Sequence, residues 1–283
     1  MGELKQRVDR RPLAVFYGLA VAISWLVWAP LLISDQGWWD IKVSRYFHLA
    51  GAQGPLLAAF IVTALAGGRP GLGDLCRRMT RWNVGHFWYA VVLAPALFFL
   101  AGAVVERAIE GSWPDFGTFG RSEEFPHLPL LGYWLANVLF YGFGEEVGWR
   151  GFALPHLQRT HSAWRATVLL WIAWAVWHIP LFGLGEGLGE LGAIGIPGWL
   201  FSLLLGAVLL TWIYNGTGGS IWMVALFHGI LDISINAPDA SAALVNTMGA
   251  LITVWGFIVF NRYGPERLSM KPKATRAVPG PSG

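Results

Sequence analysis

An all-α, polytopic membrane fold of about eight spanning helices follows from three features of the sequence. Of 283 residues, 55% are apolar and only 13% charged, about half the 25% charge of an ordinary soluble domain. The apolar residues gather in eight runs, each long enough to cross roughly 30 Å of hydrocarbon. The basic residues then segregate into alternate loops between those runs, as the positive-inside rule requires. Seventeen tryptophans agree with this class, because their rings collect at membrane interfaces and pack between spans.

The runs lie near Leu13–Ile33, His48–Ala66, Phe87–Val105, Leu128–Gly144, Thr167–Leu184, Ile196–Tyr214, Ser220–Asn236 and Ala243–Phe260. Backbone groups in lipid must be satisfied within their own segment, so the runs are read as helices. The first run exceeds the 7–15 residue apolar core of a secretory signal, and no small-residue cleavage site follows it, so it is read as an uncleaved span. Gln6 stands where a myristoylation signal needs Ser or Thr. With the N-terminus inside, sixteen Lys and Arg fall on the inner side. They are Lys5, Arg7, Arg10, Arg11, Arg69, Arg77, Arg78, Arg81, Arg150, Arg159, Arg165, Arg262, Arg267, Lys271, Lys273 and Arg276. Only Lys42, Arg45, Arg107 and Arg121 fall outside. An even span count with both termini in the cytoplasm is therefore expected. The acids Glu106, Glu110, Asp115, Glu123, Glu124, Glu186 and Glu190 fall on the outer side.

The organisation expected is a short cytoplasmic N-terminus over 1–12, a transmembrane domain over 13–262 and a flexible cytoplasmic tail over 263–283. Neither an internal repeat nor a second domain is visible. The basic stretch Gly67–His86 carries Leu72, Leu75 and Met79 at helical spacing, as a helix lying on the cytoplasmic membrane surface would. The net charge of +3 is accounted for by orientation and suggests no nucleic-acid partner. The single cysteine, Cys76, can form no intramolecular disulfide and offers no cysteine-type zinc spacing.

Ionisable residues inside spans are costly and are functional candidates by default. Glu145, Glu146 and Arg150 stand where the fourth run reaches the cytoplasmic face, His178 in the fifth, and His228 and Asp232 in the seventh. His178 lies about 16 Å in and His228 about 12 Å in, at 1.5 Å per residue. The two imidazoles thus share a depth, and Glu145 can join them if its helix continues past Gly144. Glu146 and Arg150 are i, i+4 with the acid first, the favourable order for an ion pair, and can close their own charge as a structural pair. Glu145 points about 100° away from Glu146 and is free for another partner. A carboxylate withdrawn from water is in the setting where it serves as a general base near neutral pH. His228 and Asp232 share a helix face, so Asp232 can orient the imidazole. Against this stands the plainer reading of a membrane histidine as an interhelical hydrogen bond. His48, His86, His127, His156 and His161 lie at span ends or in loops and are expected to carry no chemistry. Trp171, Trp174 and Trp177 read as packing or interface anchors.

These residues resemble the motifs of the CPBP family, the CAAX-protease and bacteriocin-processing intramembrane endopeptidases. Glu145-Glu146-Val147-Gly148-Trp149-Arg150 resembles EExxxR. Trp174-Ala175-Val176-Trp177-His178 resembles FxxxH with Trp for Phe, which keeps an aromatic at that face. His228-Gly229-Ile230-Leu231-Asp232 resembles HxxxN with Asp for Asn. The likeness covers about 128–236. It implies that Glu145 activates a water, that His178 assists it, and that His228 and Asp232 support the oxyanion. An Asn donates through its amide whereas an ionised Asp cannot, so Asp232 would act protonated, by orienting His228, or as a metal ligand. Glu145, His178 and His228 also make a catalytic zinc-type set with room for water, although HExxH is absent. Zinc or another divalent metal is thus left open, as in the family, which has been described as both metal- and glutamate-dependent.

The function expected is an intramembrane endopeptidase acting on a membrane-associated or lipidated peptide from a cavity open to the cytoplasm, in a prokaryotic plasma membrane. A prenylated C-terminal substrate is implied by resemblance to eukaryotic members alone. Two alternatives stand beside it. One is a proton-coupled transporter, which should carry inverted repeats or paired broken helices. The other is a catalytically silent scaffold or immunity protein, which would tolerate Glu145→Gln or His178→Ala.

Overall fold

The computed structural model describes residues 6, 8–184, 187–238 and 240–275. Lys5, Arg7, Glu186, Arg276 and the rest of the tail lie outside the described residues. The chain is a polytopic all-α membrane protein, and among the described residues there is no strand. Its helices are α1 (Pro12–Asp35), α2 (Tyr46–Gly51), α3 (Gly54–Met79), α4 (His86–Glu110), α5 (130–157), α6 (Ala163–Trp177), α7 (Gly192–Gly216), α8 (Ile221–Ile235) and α9 (Ala242–Arg267). Among the described residues, six segments are long and apolar enough to cross a membrane: Pro12–Asp35, Tyr46–Met79, His86–Glu110, Ala163–Gly183, Gly187–Gly216 and Ala242–Arg267. They coincide with six of the eight apolar runs. The other two runs fall on α5 and on α8, a shorter apolar helix.

Local chemistry fixes the helix ends. Ser162, Ser220 and Ser241 cap α6, α8 and α9, each hydroxyl accepting the backbone N–H three residues on, which satisfies one orphan donor per helix. Pro180 lies three residues beyond Trp177, the last residue of α6, and the chain passes there into a 3₁₀ turn, Ile179–Gly183. Such a proline is a stop signal for the helix before it. α3 breaks at Gly68, whose φ of 52° and ψ of −152° no helix contains. The basic stretch read from sequence is therefore a separate helical piece, and it docks on protein through buried Leu75 and Arg78. Arg78 donates to the Gly151 carbonyl (2.7 Å) and the Tyr214 hydroxyl (2.9 Å).

Packing brings α1 against α3, α8 against α4 and α5, and α9 against α4 and α7. Tryptophans tie α1 to α6: Trp25 donates to the Trp177 carbonyl (3.0 Å), and Trp177 donates to Ser24 Oγ (2.7 Å). Small residues admit close backbone approach, as is usual between membrane helices. A Cβ at Gly148 would meet the Pro55 backbone oxygen at 2.6 Å, and one at Gly142 the Ala225 carbonyl at 2.4 Å. These contacts press α5 directly onto α3 and α8.

Of the segment 263–283, residues 263–275 are described, helical to Arg267 and in contact with the bundle beyond it. Leu268 and Ser269 are buried. Ala274 accepts from Gln158 (3.3 Å) and donates to Asn215 (3.1 Å), and Lys273 donates to the His161 carbonyl (2.7 Å).

Candidate active site

The fourth apolar run does not end at Gly144. It continues as α5, in which α-helical Leu130–Ala136 passes into π-helical Asn137–Phe143, α-helical Gly144–Gly148, π-helical Trp149–Ala153 and α-helical Leu154–Leu157. One α-helical turn bearing Glu145 and Glu146 thus sits between two π-helical ones. Such insertions are rare and are found mostly at functional sites, because they re-aim the side chains that follow.

Glu145 is 4% exposed and Glu146 is fully buried. They face different partners, as their 100° separation on a helix requires. Glu145 Oε2 accepts the indole N–H of Trp174 at 2.7 Å. Glu146 Oε1 accepts Arg150 Nη1 at 2.8 Å and His228 Nδ1 at 2.8 Å. The expected Glu146–Arg150 ion pair is present, with both side chains fully out of solvent, and the same carboxylate also reaches the third motif. Among the described residues, Glu146 Oε2 and Arg150 Nε and Nη2 are buried with no protein hydrogen-bond partner.

His178 is the first residue after α6. Its Nδ1 lies 2.8 Å from the Trp174 carbonyl. A carbonyl only accepts, so Nδ1 carries the proton in that bond and the neutral ring keeps its lone pair on Nε2. His228 lies on α8 with Asp232 one turn on. Its Nε2 stands 3.6 Å from Asp232 Oδ2, beyond hydrogen-bond length. The partner that holds the His228 ring closely is therefore Glu146, from another helix, and Asp232 is its longer-range one.

Trp174 joins these groups. Its ring is stacked under the Arg150 guanidinium at 4.5 Å, and it meets the His228 ring edge-on at 5.7 Å and the His178 ring at 5.5 Å. It was read from sequence as a packing aromatic; its indole donor is the feature that reading missed. The signal was present in the departure of Trp174 from the FxxxH pattern.

Among the described residues no group of three or more His, Cys, Asp or Glu side chains stands as a metal-holding set. Glu145 Oε2 is engaged by an indole N–H, and His228 Nδ1 is directed at a carboxylate. Of the histidines outside the motifs, His48 contacts Glu124 (2.8 Å) and Tyr141 (3.2 Å), while His156 and His161 approach carbonyls of their own helical turn.

A family model described as type II CAAX prenyl endopeptidase Rce1-like matches residues 127–234. A curated relative, CAAX prenyl protease 2 of Methanococcus maripaludis, is 30% identical over 154 residues. That alignment covers 50% of this chain and 54% of the relative, so the chain spans about half the length of the relative it matches. The family match spans α5, α6, α7 and α8, the stretch that carries all three motifs. The resemblance to the CPBP family holds over this core.

Proposed function

We propose that this chain, whose residues 127–234 match the type II CAAX prenyl endopeptidase Rce1-like model, is an intramembrane endopeptidase. The observation that carries the reading is the meeting of three motifs from three helices in one buried cluster. Glu145 bonds Trp174 at 2.7 Å, and Glu146 bonds His228 at 2.8 Å. Glu145 takes a proton from a water whose oxygen adds to the scissile carbonyl carbon. The same proton then passes to the leaving amine as the C–N bond breaks, the usual service of one carboxyl group as base and then acid. His178 assists through the lone pair on Nε2. His228, with a proton on each ring nitrogen, donates from Nε2 toward the developing oxyanion and from Nδ1 to Glu146, which holds the ring. Asp232 orients that ring from the other side. Glu146 and Arg150 support the cluster rather than touching substrate.

The substrate proposed is a membrane-anchored or lipidated peptide, and a prenylated C-terminus is its first candidate, given that the relative is a CAAX prenyl protease. The partners are that peptide and the lipid bilayer, with no nucleic acid. The setting is a prokaryotic plasma membrane with the termini and the active-site opening toward the cytoplasm.

The test uses purified protein in lipid with prenylated, otherwise lipidated and transmembrane peptides, and reads cleaved ends by mass spectrometry. Glu145→Gln is expected to lower kcat about 10³-fold or more and His178→Ala about 10²-fold, the range that a positioned acid–base group supplies. A parallel series with chelator separates a metal-dependent from a carboxylate mechanism. Wild-type cleavage by Glu145→Gln would remove Glu145 from the chemistry, whereas a wild type that leaves every peptide intact, together with normal function of Glu145→Gln in its own cell, would sink the enzyme reading and return the transporter and scaffold alternatives.

A further inference from the structure

The FxxxH pattern needs only an aromatic ring at its first position, and Phe has no hydrogen-bond donor. In this chain Trp174 stands there, 4% exposed, and its Nε1–H donates to Glu145 Oε2 at 2.7 Å. Three further contacts fix the ring that carries this donor. The Arg150 guanidinium lies 4.5 Å above its face, the His228 ring meets it at an interplanar angle of 83°, and the His178 ring stands 5.5 Å away. A short, buried bond to a carboxylate is of the strong, charge-assisted kind. It also selects one carboxylate orientation, since only Oε2 is taken, and leaves Oε1 to face a reacting water.

We infer that Trp174 is a positioning residue for Glu145, acting through an indole N–H that the phenylalanine of the family pattern does not supply. The inference rests on the endopeptidase reading above. Trp174 fixes where Glu145 Oε1 points without itself touching substrate.

Two variants and one spectrum test it. Trp174→Phe keeps the ring beneath Arg150 and removes only the donor. Its kcat, normalised to folded protein, is expected to fall about 10- to 100-fold with KM within about twofold, the signature of an interaction used in the transition state and not in binding. Trp171→Phe, one turn earlier on α6, loses an indole bond to the Leu200 carbonyl and is expected to keep its kcat. With 15N-labelled indoles, the cross-peak absent from Trp174→Phe is expected to be displaced in Glu145→Gln, a measurement that needs neither turnover nor the Trp174 variant's stability. An unmoved indole peak, or a Trp174→Phe protein whose only loss is thermal stability, would overturn the inference while leaving the endopeptidase intact. A wild type that cleaves nothing removes that reading, and a displaced indole peak would then mark a purely structural bond.

Discussion

Among the described residues two arginines are buried, and they are held differently. Arg78, on the basic end of α3, makes three bonds: Nε bonds Asp74 at 2.9 Å, and Nη1 bonds the Gly151 carbonyl and the Tyr214 hydroxyl at 2.7 and 2.9 Å. Its acid, Asp74, stays at the surface. Arg150, one helical turn after Glu146, is fully buried with only Nη1 bonded. Its Nε and Nη2 have no protein hydrogen-bond partner among the described residues, and its face is given to Trp174. Arg78 fastens one helix to two others. Arg150 holds a carboxylate that in turn holds His228. Arg78 spreads three bonds over its own helix and two others, whereas Arg150 bonds Glu146 one turn back on its own helix, where three motifs converge.

The largest expected effects separate the two. Arg150→Met leaves Glu146 buried without its cation, and removing one partner of a buried pair costs about 3–5 kcal/mol. The same change frees the carboxylate that orients His228, so kcat per folded molecule should fall about 100-fold. Arg78→Met should cost less stability, about 1–3 kcal/mol for its charge-assisted bonds, because Asp74 remains wet. Its kcat per folded molecule should be unchanged. Thermal unfolding in lipid and activity corrected for folded fraction read both quantities. Equal loss of turnover in the two variants would erase the distinction between fastening and site arginines.

The same contrast marks how far the sequence could be read. The apolar runs and the i, i+4 pairing of Glu146 with Arg150 are properties of single helices, and periodicity exposes them directly. Six runs coincide with spanning-length helices, and the Glu146–Arg150 pair is in place. The 100° offset of Glu145 from Glu146 also carried over into separate partners. What crosses between helices was not legible. Nothing in the order of residues says that Glu146 rather than Asp232 lies closest to His228, because that depends on how α5 is rotated against α8. The π-helical turns on both sides of Gly144–Gly148 shift that rotation, and they leave no mark in hydropathy. The contacts of Leu268–Ala274 are illegible in sequence for a related reason. Its composition is that of a tail, and it is held by a Gln158–Asn215 amide pair contributed by the ends of α5 and α7.

Asp232 gives the smallest expected effect and the sharpest check on the division of labour around His228. The family pattern has Asn there, and an Asn amide can donate where an ionised Asp cannot. If Asp232 acted at the reacting atoms, Asp232→Asn would change turnover strongly in one direction or the other. The geometry assigns it less: Oδ2 stands 3.6 Å from Nε2, while Glu146 holds Nδ1 at 2.8 Å. Asp232→Asn is therefore expected to change kcat by about threefold or less, since no bond of hydrogen-bond length is lost. Glu146→Gln, which weakens the closer contact and unpairs Arg150, should reduce it by at least tenfold more. Steady-state rates of the two variants on one cleaved peptide decide the matter. A larger loss in Asp232→Asn than in Glu146→Gln would move the support of His228 from the neighbouring helix back to its own.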